Sequence, residues 1–504
     1  MARHSFCSRL NHTCRVLLLS PLKLFLSWPR ATFLSTRRIV LIGLTVTLAV
    51  VMTLTACILN FAELPEVRLV LSPGFPLHIF PGYTLPEVLY YDVTEKLPDD
   101  LQHNVAARMS MSRRGRQSVR LLSVPGRQPS CAALVQGDEA EVTYALQYME
   151  TVEIPREPSL SEMSRAPSDC DAYVKSRGYI THSVEQEREF PIAFSIMLYR
   201  DIDQVERLLR AIYRPHNVYC LHVDAKAEEK LQEAVRGLVK CLPNVLLASK
   251  QNKVDWAQFN SLTPWLYCMK DLWPSKWKYF INLTGQEFPL KSNLQLVQIL
   301  RALNGSNVVD TTLASRYSRR WYSNFPAPDN IRPHKGLVFV VLSRGMVDYI
   351  LHNPVAERFL DWVSRTDFPD ETFFSSLNHN PHLNVPGSYK GSPETHAEQK
   401  PYIARFVNWG KGWKDSRGRY PFSWPCGGKR VRGVCIFGIR DLPLLTSRKE
   451  LFANKFFADY QPLAQTCLEE WHFNMTLAEY SGLLTLNTSW YANMDIVRNA
   501  VVAV

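Results

Sequence analysis

Two kinds of hydrophobic pattern divide the chain. The first is a single stretch, Ile39–Leu59, of 21 residues without a charge, long enough to cross a bilayer as a helix. The second begins near residue 185, where apolar runs of strand length alternate with apolar residues at helical spacing. Phe190–Tyr199 (FPIAFSIMLY) reads as a buried strand, Asp203–Tyr213 as a helix, and Asn217–Asp224 (NVYCLHVD) as a second strand. A helix over Ala227–Leu242, a short strand over Val245–Ser249, a helix over Trp256–Leu272, a strand over Lys278–Gly285 and a helix over Asn293–Leu303 follow. The alternation predicts βαβ units and a largely parallel sheet. Beyond 305 the spacing predicts a strand at Gly336–Leu342 and helices at Gly345–His352, Val355–Val363 and Phe368–Leu377, the last opened by Pro-Asp-Glu. Residues 385–430 read as a long loop rich in Gly, Pro and Trp, then a strand at Val434–Phe437 and a helical stretch at Asp441–Phe452. Residues 60–125 carry many prolines and no sustained period, as a stem would.

Charge orients this arrangement. The chain of 504 residues has a net charge of +11. Residues 1–38 hold seven Lys or Arg and no Asp or Glu, while Glu63 and Glu66 follow the apolar stretch. The positive-inside rule then puts the N-terminus in the cytosol and the rest in the lumen. The rival, a cleaved signal peptide, would have a shorter apolar core and a small-x-small site after it. No dense basic run follows the leader, so nucleic-acid binding has little support. The domains expected are a cytosolic tail (1–38), a signal-anchor helix (39–59), a stem (60–125), a catalytic domain (126–475) and a C-terminal tail (476–504). Of 11 cysteines, Cys7, Cys14 and Cys57 lie in the leader or span, leaving eight luminal ones. An even number in an oxidising compartment reads as four disulfides. Luminal sequons at Asn304, Asn474 and Asn487 fit glycosylation. The sequon at Asn282 lies in an apolar strand and Asn11 is on the cytosolic side.

Chemistry is sparse in the motifs. No Walker loop, Gly-x-Gly-x-x-Gly, Cys-x-x-Cys pair or His-Glu-x-x-His occurs. A literal Asp-x-Asp stands at Asp201-Ile-Asp203, the pattern by which metal-dependent sugar transferases hold a metal and a diphosphate. Here it opens a helix, where Asp is an ordinary cap. Asp169-Cys-Asp171 reads as a loop. Asp224 closes a strand of the parallel sheet, where ligands bind; it either meets a ligand or caps the next turn. Without a metal, a diphosphate leaving group needs Lys or Arg, and the basic residues beyond 429 are candidates. Glu371 is one candidate among many carboxylates for a base.

Several separate segments resemble one family. Asn217–Asp224, Lys278–Asn293 (KYFINLTGQEFPLKSN), Phe368–Phe374 (FPDETFF), Val431–Gly438 (VRGVCIFG) and Leu451–Phe456 (LFANKF) are similar to the core 2 / I-branching β-1,6-N-acetylglucosaminyltransferases, in the same order. The likeness runs from about Cys131 to Cys467. It implies an α/β GT-A fold, a Golgi membrane location and an inverting mechanism without a metal or other cofactor. UDP-GlcNAc would be the donor, and a galactose or N-acetylgalactosamine on a glycoprotein glycan the acceptor. Glu371 would be the catalytic base. Arg432 and Lys455 would neutralise the diphosphate. Met197, Tyr199, Asp224, Lys226 and Trp256, the last where the family has Tyr, would line the nucleotide-sugar site. The implied disulfides are Cys131–Cys467, Cys170–Cys241, Cys220–Cys268 and Cys426–Cys435. Thr284 replaces the family's free thiol.

The acceptor side departs further. Asp310 is the nearest match to an acidic residue that holds acceptor hydroxyls, Arg320 matches a family Arg, and Trp409 a Trp that stacks on a sugar. Glu287 stands where the family has Asp. The family Lys between the acidic residue and the Arg falls near Arg316 or Tyr317. Two other readings keep the same sheet: a UDP-xylose transferase acting on protein serine, or a silent homologue that binds a glycan or partner.

Overall fold

The computed structural model describes residues 127–154, 156, 163, 169–313, 315–321, 325–395, 400–410 and 424–501. The expected cytosolic tail, spanning helix and stem lie outside the described residues. Among the described residues no helix is long and apolar enough to cross a membrane.

The strands are β1 (Ile192–Leu198), β2 (Val218–Val223), β3 (Val245–Leu247), β4 (Tyr279–Thr284), β5 (Glu287–Pro289), β6 (Val341–Ser343), β7 (Phe406–Val407), β8 (Lys429–Val431), β9 (Val434–Ile436) and β10 (Phe452–Asn454). The helices that position the site are α1 (Ile202–Ile212), α2 (Glu229–Lys240), α3 (Thr263–Leu272), α4 (Asn293–Ala302), α5 (Arg344–His352), α6 (Pro354–Val363), α7 (Pro369–Asn378) and α8 (Pro462–Tyr480). The main sheet has the order β3-β2-β1-β4-β6. β1 pairs in parallel with both β2 and β4, β2 with β3 likewise, and β6 closes the sheet antiparallel to β4. The fold is therefore mixed α/β with a mostly parallel central sheet.

The expected βαβ pattern stands because both faces of β1 are covered, which makes a strand near-continuously apolar. Only Met197 of β1 escapes full burial. Phe194 stacks on Tyr219 of β2 at 5.3 Å between ring centroids. α2 buries Leu231, Ala234, Val235 and Leu238, one stripe at helical spacing. Ser292 caps α4 by accepting from the Gln295 N–H at 3.1 Å.

Several boundaries differ from expectation. The helix expected from Trp256 starts at Thr263, because Ala257 takes a left-handed φ of 65° and a short 3-10 turn intervenes. The strand expected over Gly336–Leu342 is confined to β6; Lys335 bridges Thr312 instead. The helix expected over Asp441–Phe452 ends at Thr446, and Phe452 opens β10. β10 runs between β5 and β7 in a second, three-stranded sheet. β7 itself lies inside the expected long loop. The helices Cys131–Gln136 and Glu139–Thr151 and the 19-residue α8 carried no clear amphipathic signal. α8 buries residues all round its axis, including Leu463, Cys467, Trp471 and Phe473, which hides a one-sided period.

All four disulfides implied by the resemblance form. Cys131–Cys467 ties helix Cys131–Gln136 to α8 across 336 residues of sequence, and Cys220–Cys268 fastens β2 to α3. The expected tail at 476–504 is corrected. α8 runs through its start, Tyr491, Met494 and Ile496 join the main core, and Val501 donates to the Ser388 carbonyl at 2.7 Å.

Ending the chain at Ser481 should therefore destabilise the domain. Three buried apolar side chains at about 1.5–3 kcal/mol each rival a typical domain stability of about 5–15 kcal/mol. Denaturant unfolding and yield of soluble secreted protein check this; a truncated chain as stable as the full one contradicts it.

Candidate functional site

The carboxyl ends of β1, β2 and β4 meet at one edge. The Asp224 N–H donates to the Leu198 carbonyl and the Gly285 N–H to the Met197 carbonyl, both at 2.9 Å. The chain after β2 and the chain after β4 thus fold onto the end of β1. Gly285 is needed there, since a Cβ would stand 2.7 Å from Val205 Cγ2. Tyr199 and Trp256 are 53% and 83% exposed, leaving two open aromatic faces. Asp224 serves its own turn: Oδ1 accepts from the Lys226 N–H at 2.8 Å and the Val254 N–H at 3.4 Å. Lys226 Nζ reaches Asp255 at 3.1 Å. The capping role weighed for Asp224 is real, and it shapes the loop at the strand end.

Glu371 stands in the first turn of α7, where the helix dipole favours a carboxylate. Pro369 starts the helix and Phe368 precedes it with a left-handed φ of 54°. Arg320 Nη1 donates to Glu371 Oε2, and Lys335 Nζ is 3.9 Å from the same oxygen. The Glu371 side chain is 26% exposed, whereas that of Lys335 is 3% exposed. Arg320 also lies 4.1 Å from the Phe368 ring centroid, and Trp256 meets that ring edge-on at 5.0 Å. Trp256, Phe368, Arg320 and Glu371 therefore form one continuous wall. Gly336 makes the approach possible. Its N–H donates to the Glu371 carbonyl at 2.7 Å, and a Cβ would fall 2.3 Å from the Asp310 carbonyl oxygen. Asp310, Lys335 and Glu371 are thus drawn together from three separate segments. Burial pushes the Asp310 carboxyl up, against the pull of Lys335 and Lys400. Asp370 is pushed up to about 6, first by burial and then by Glu371, with a Ser261 hydrogen bond opposing. Lys335 and Asp370 carried no signal in the sequence pattern: one follows a loop, and the other looks like a helix-start acid.

A cationic group is drawn from later segments of the chain. Arg432 and Gly433 are the two central residues of the β8–β9 hairpin, with φ of 51° and 85°. This is the left-handed pair of a type I′ turn. Lys455 follows β10, and its carbonyl accepts from the Phe437 N–H at 3.0 Å. Burial first, then Arg432 and Arg200, lower the Lys455 pKa. Lys455 Nζ and the Arg200 guanidinium lie 5.1 Å and 5.6 Å from the centroid of one ring, that of Phe457. Trp409 lies beside this hairpin, its backbone bridging Val434.

Two assignments are corrected. Glu287 is fully buried, and takes Arg405 Nε at 2.6 Å, Asn454 Nδ2 at 3.1 Å and Thr284 Oγ1 at 3.1 Å. With its oxygens so occupied it fastens the interior and does not face an acceptor. Asn474 is 5% exposed within α8, which leaves no room for a glycan. Asn304 and Asn487 are exposed, and Asn282 is fully buried as expected. Asp201 holds the cap position of α1 but makes no cap hydrogen bond; it pairs with arginines instead. Asp169 caps a helix, accepting from the Ala172 N–H at 2.9 Å.

A family model described as Core-2/I-Branching enzyme matches residues 192–443. A human protein named beta-1,3-galactosyl-O-glycosyl-glycoprotein beta-1,6-N-acetylglucosaminyltransferase is 35% identical over 378 residues, covering 70% of this chain and 88% of its own. A relative from Ovis aries, with the same name and numbered 3, is 34% identical over 68% of this chain and 81% of its own. One from Bovine herpesvirus 4, with the unnumbered name, is 33% identical over 68% and 82%.

The raised Asp370 carboxyl sets a pH dependence. Its folded pKa of about 6 lies above the ordinary 3.8, so the folded chain holds that proton more tightly. The stability this adds is full below pH 3.8 and lost as pH rises to about 6. Asp370→Asn should therefore gain on the natural chain by on the order of 1–3 kcal/mol as pH rises through that window. Parallel denaturant titrations at its two ends measure the difference; a constant gap refutes it.

Proposed function

The chain belongs to the Core-2/I-Branching enzyme family, and from that premise we propose that it transfers N-acetylglucosamine from UDP-GlcNAc to the 6-hydroxyl of a galactose or N-acetylgalactosamine in glycoprotein glycans. It is a glycosyltransferase, and its mostly parallel central sheet fits a GT-A enzyme. The observation that carries the proposal is the division of charge. A partly exposed carboxylate, Glu371, stands on α7, and a separate group of cations gathers around Lys455.

Glu371 takes the proton of the acceptor C6 hydroxyl. The oxygen forms its bond to the anomeric carbon as the bond to the UDP oxygen breaks on the opposite face, giving a β linkage. Arg432 and Lys455 meet the charge that develops on the departing diphosphate, in the role a divalent ion plays elsewhere. Arg320 and Lys335 fix the carboxylate. Tyr199 and Trp256 offer faces for the donor. Asp310, Arg320 and Trp409 are the acceptor contacts of this reading. Four disulfides suit an oxidising lumen, consistent with a type II anchor in the Golgi membrane.

A secreted fragment, residues 126–504, given UDP-GlcNAc, EDTA and core 1, core 3 and polylactosamine acceptors tests this. Transfer should survive EDTA, and Glu371→Gln should lower it about 10²–10⁴-fold. Transfer abolished by EDTA overturns the metal-independent route. Donor binding without transfer to any acceptor favours the silent homologue.

A further inference from the structure

We propose that Arg200 is a third cationic ligand of the donor diphosphate, held for that task by the Asp201-Ile-Asp203 motif and Arg156. The inference rests on the donor-site reading above and adds a residue to it. Arg200 leaves the carboxyl end of β1 directly before α1. Its guanidinium lies 5.6 Å from the Phe457 ring centroid, and Lys455 Nζ lies 5.1 Å from the same centroid. Lys429 Nζ, from β8, is 5.9 Å from it. One aromatic ring is thus the shared floor of three cations drawn from three segments.

The carboxylates explain why Arg200 points there. Asp201 takes a left-handed φ of 56°, and its side chain accepts from Arg200 Nε. Asp201 also accepts from Arg156 Nη2 at 2.6 Å. Arg156 grips Asp203 in fork fashion, Nε to Oδ2 at 3.0 Å and Nη2 to Oδ1 at 2.5 Å. The two aspartates that would hold a metal in other transferases are bound here by protein guanidinium. Arg200 is anchored through Nε, the inner edge of its fork. Asp459, itself 65% exposed, forms a longer ion pair with Nη2 at 3.8 Å. The Arg200 side chain is 39% exposed, and its guanidinium has the planar geometry that suits phosphate. Burial, Arg432 and then Arg200 disfavour the Lys455 charge, a cost that a bound polyanion would relieve.

Calorimetric titration of the full-length chain in detergent with UDP and UMP tests the proposal. Arg200→Gln should weaken UDP about tenfold or more, the scale of one charged hydrogen bond, and UMP by less. Arg200→Lys should recover part of the loss. Unchanged UDP affinity in Arg200→Gln, with Arg432→Gln weakened, overturns the inference and leaves the donor-site reading standing. Equal losses for UDP and UMP with a lowered thermal midpoint make Arg200 a structural ion-pair residue and also overturn it. A folded natural chain that binds no UDP overturns both.

Discussion

The buried pair between Glu287 and Arg405 is the joint on which the two sheets depend. Both side chains have no exposure. Arg405 donates through Nε to Glu287 of β5 at 2.6 Å, through Nη1 to the Ala404 carbonyl at 2.5 Å, and through Nη2 to the Asn282 carbonyl of β4. One guanidinium, on the residue just before β7, therefore links β4 of the main sheet to β5 of the second. Asn454 of β10 donates to the same carboxylate at 3.1 Å, and the next residue is Lys455. Such pairs seldom add net stability, but removing one partner leaves an uncompensated charge at about 3–5 kcal/mol. The geometry of the cationic group thus rests on a pair fully buried in the interior.

Burial and chain separation decide which elements could be read from the sequence. β1, β2 and β4 are buried on both faces, and α2 on one, so their periods are visible in a short window. β5, β7 and β10 have two or three residues each, too few to show any period. They exist because distant segments bring them together. Burial all round α8 removes the stripe by which a helix is recognised. Of the site residues, Glu371 was legible as a helix-start acid, and only the motif likeness separated it from others of that kind. Lys335 was illegible: its place depends on the bridge to Thr312 and on the bare backbone of Gly336. Glu287 misled because a carboxylate in a motif says nothing of which way it faces.

The Asp-x-Asp motif makes the point more sharply. Two carboxylates one residue apart can hold a metal, cap a helix or bind arginine, and the local sequence is the same in each case. The deciding residue, Arg156, lies 45 positions from Asp201 in the chain. Its fork matches both carboxylates, so the motif is neutralised from within. A cation supplied by the protein cannot be removed by chelation, and its geometry is set by the fold rather than by a coordination shell.

Spreading the positive charge has a consequence for turnover. One divalent ion concentrates its charge at a point and leaves with, or stays behind, the nucleotide as a unit. Side-chain cations from β8, the β8–β9 turn, the end of β1 and the residue after β10 each contribute a fixed direction. Burial first, then repulsion from Arg432 and Arg200, disfavours the charge on Lys455. In the proposed reaction a bound diphosphate would relieve that repulsion most when its charge is greatest, as the glycosidic bond breaks. Interactions that strengthen toward the transition state lower the barrier, whereas those already complete in the ground state only tighten binding. On the proposed reading, a cluster held together against its own repulsion by Asp201, the Phe457 ring and the β8–β9 turn would be of the former kind.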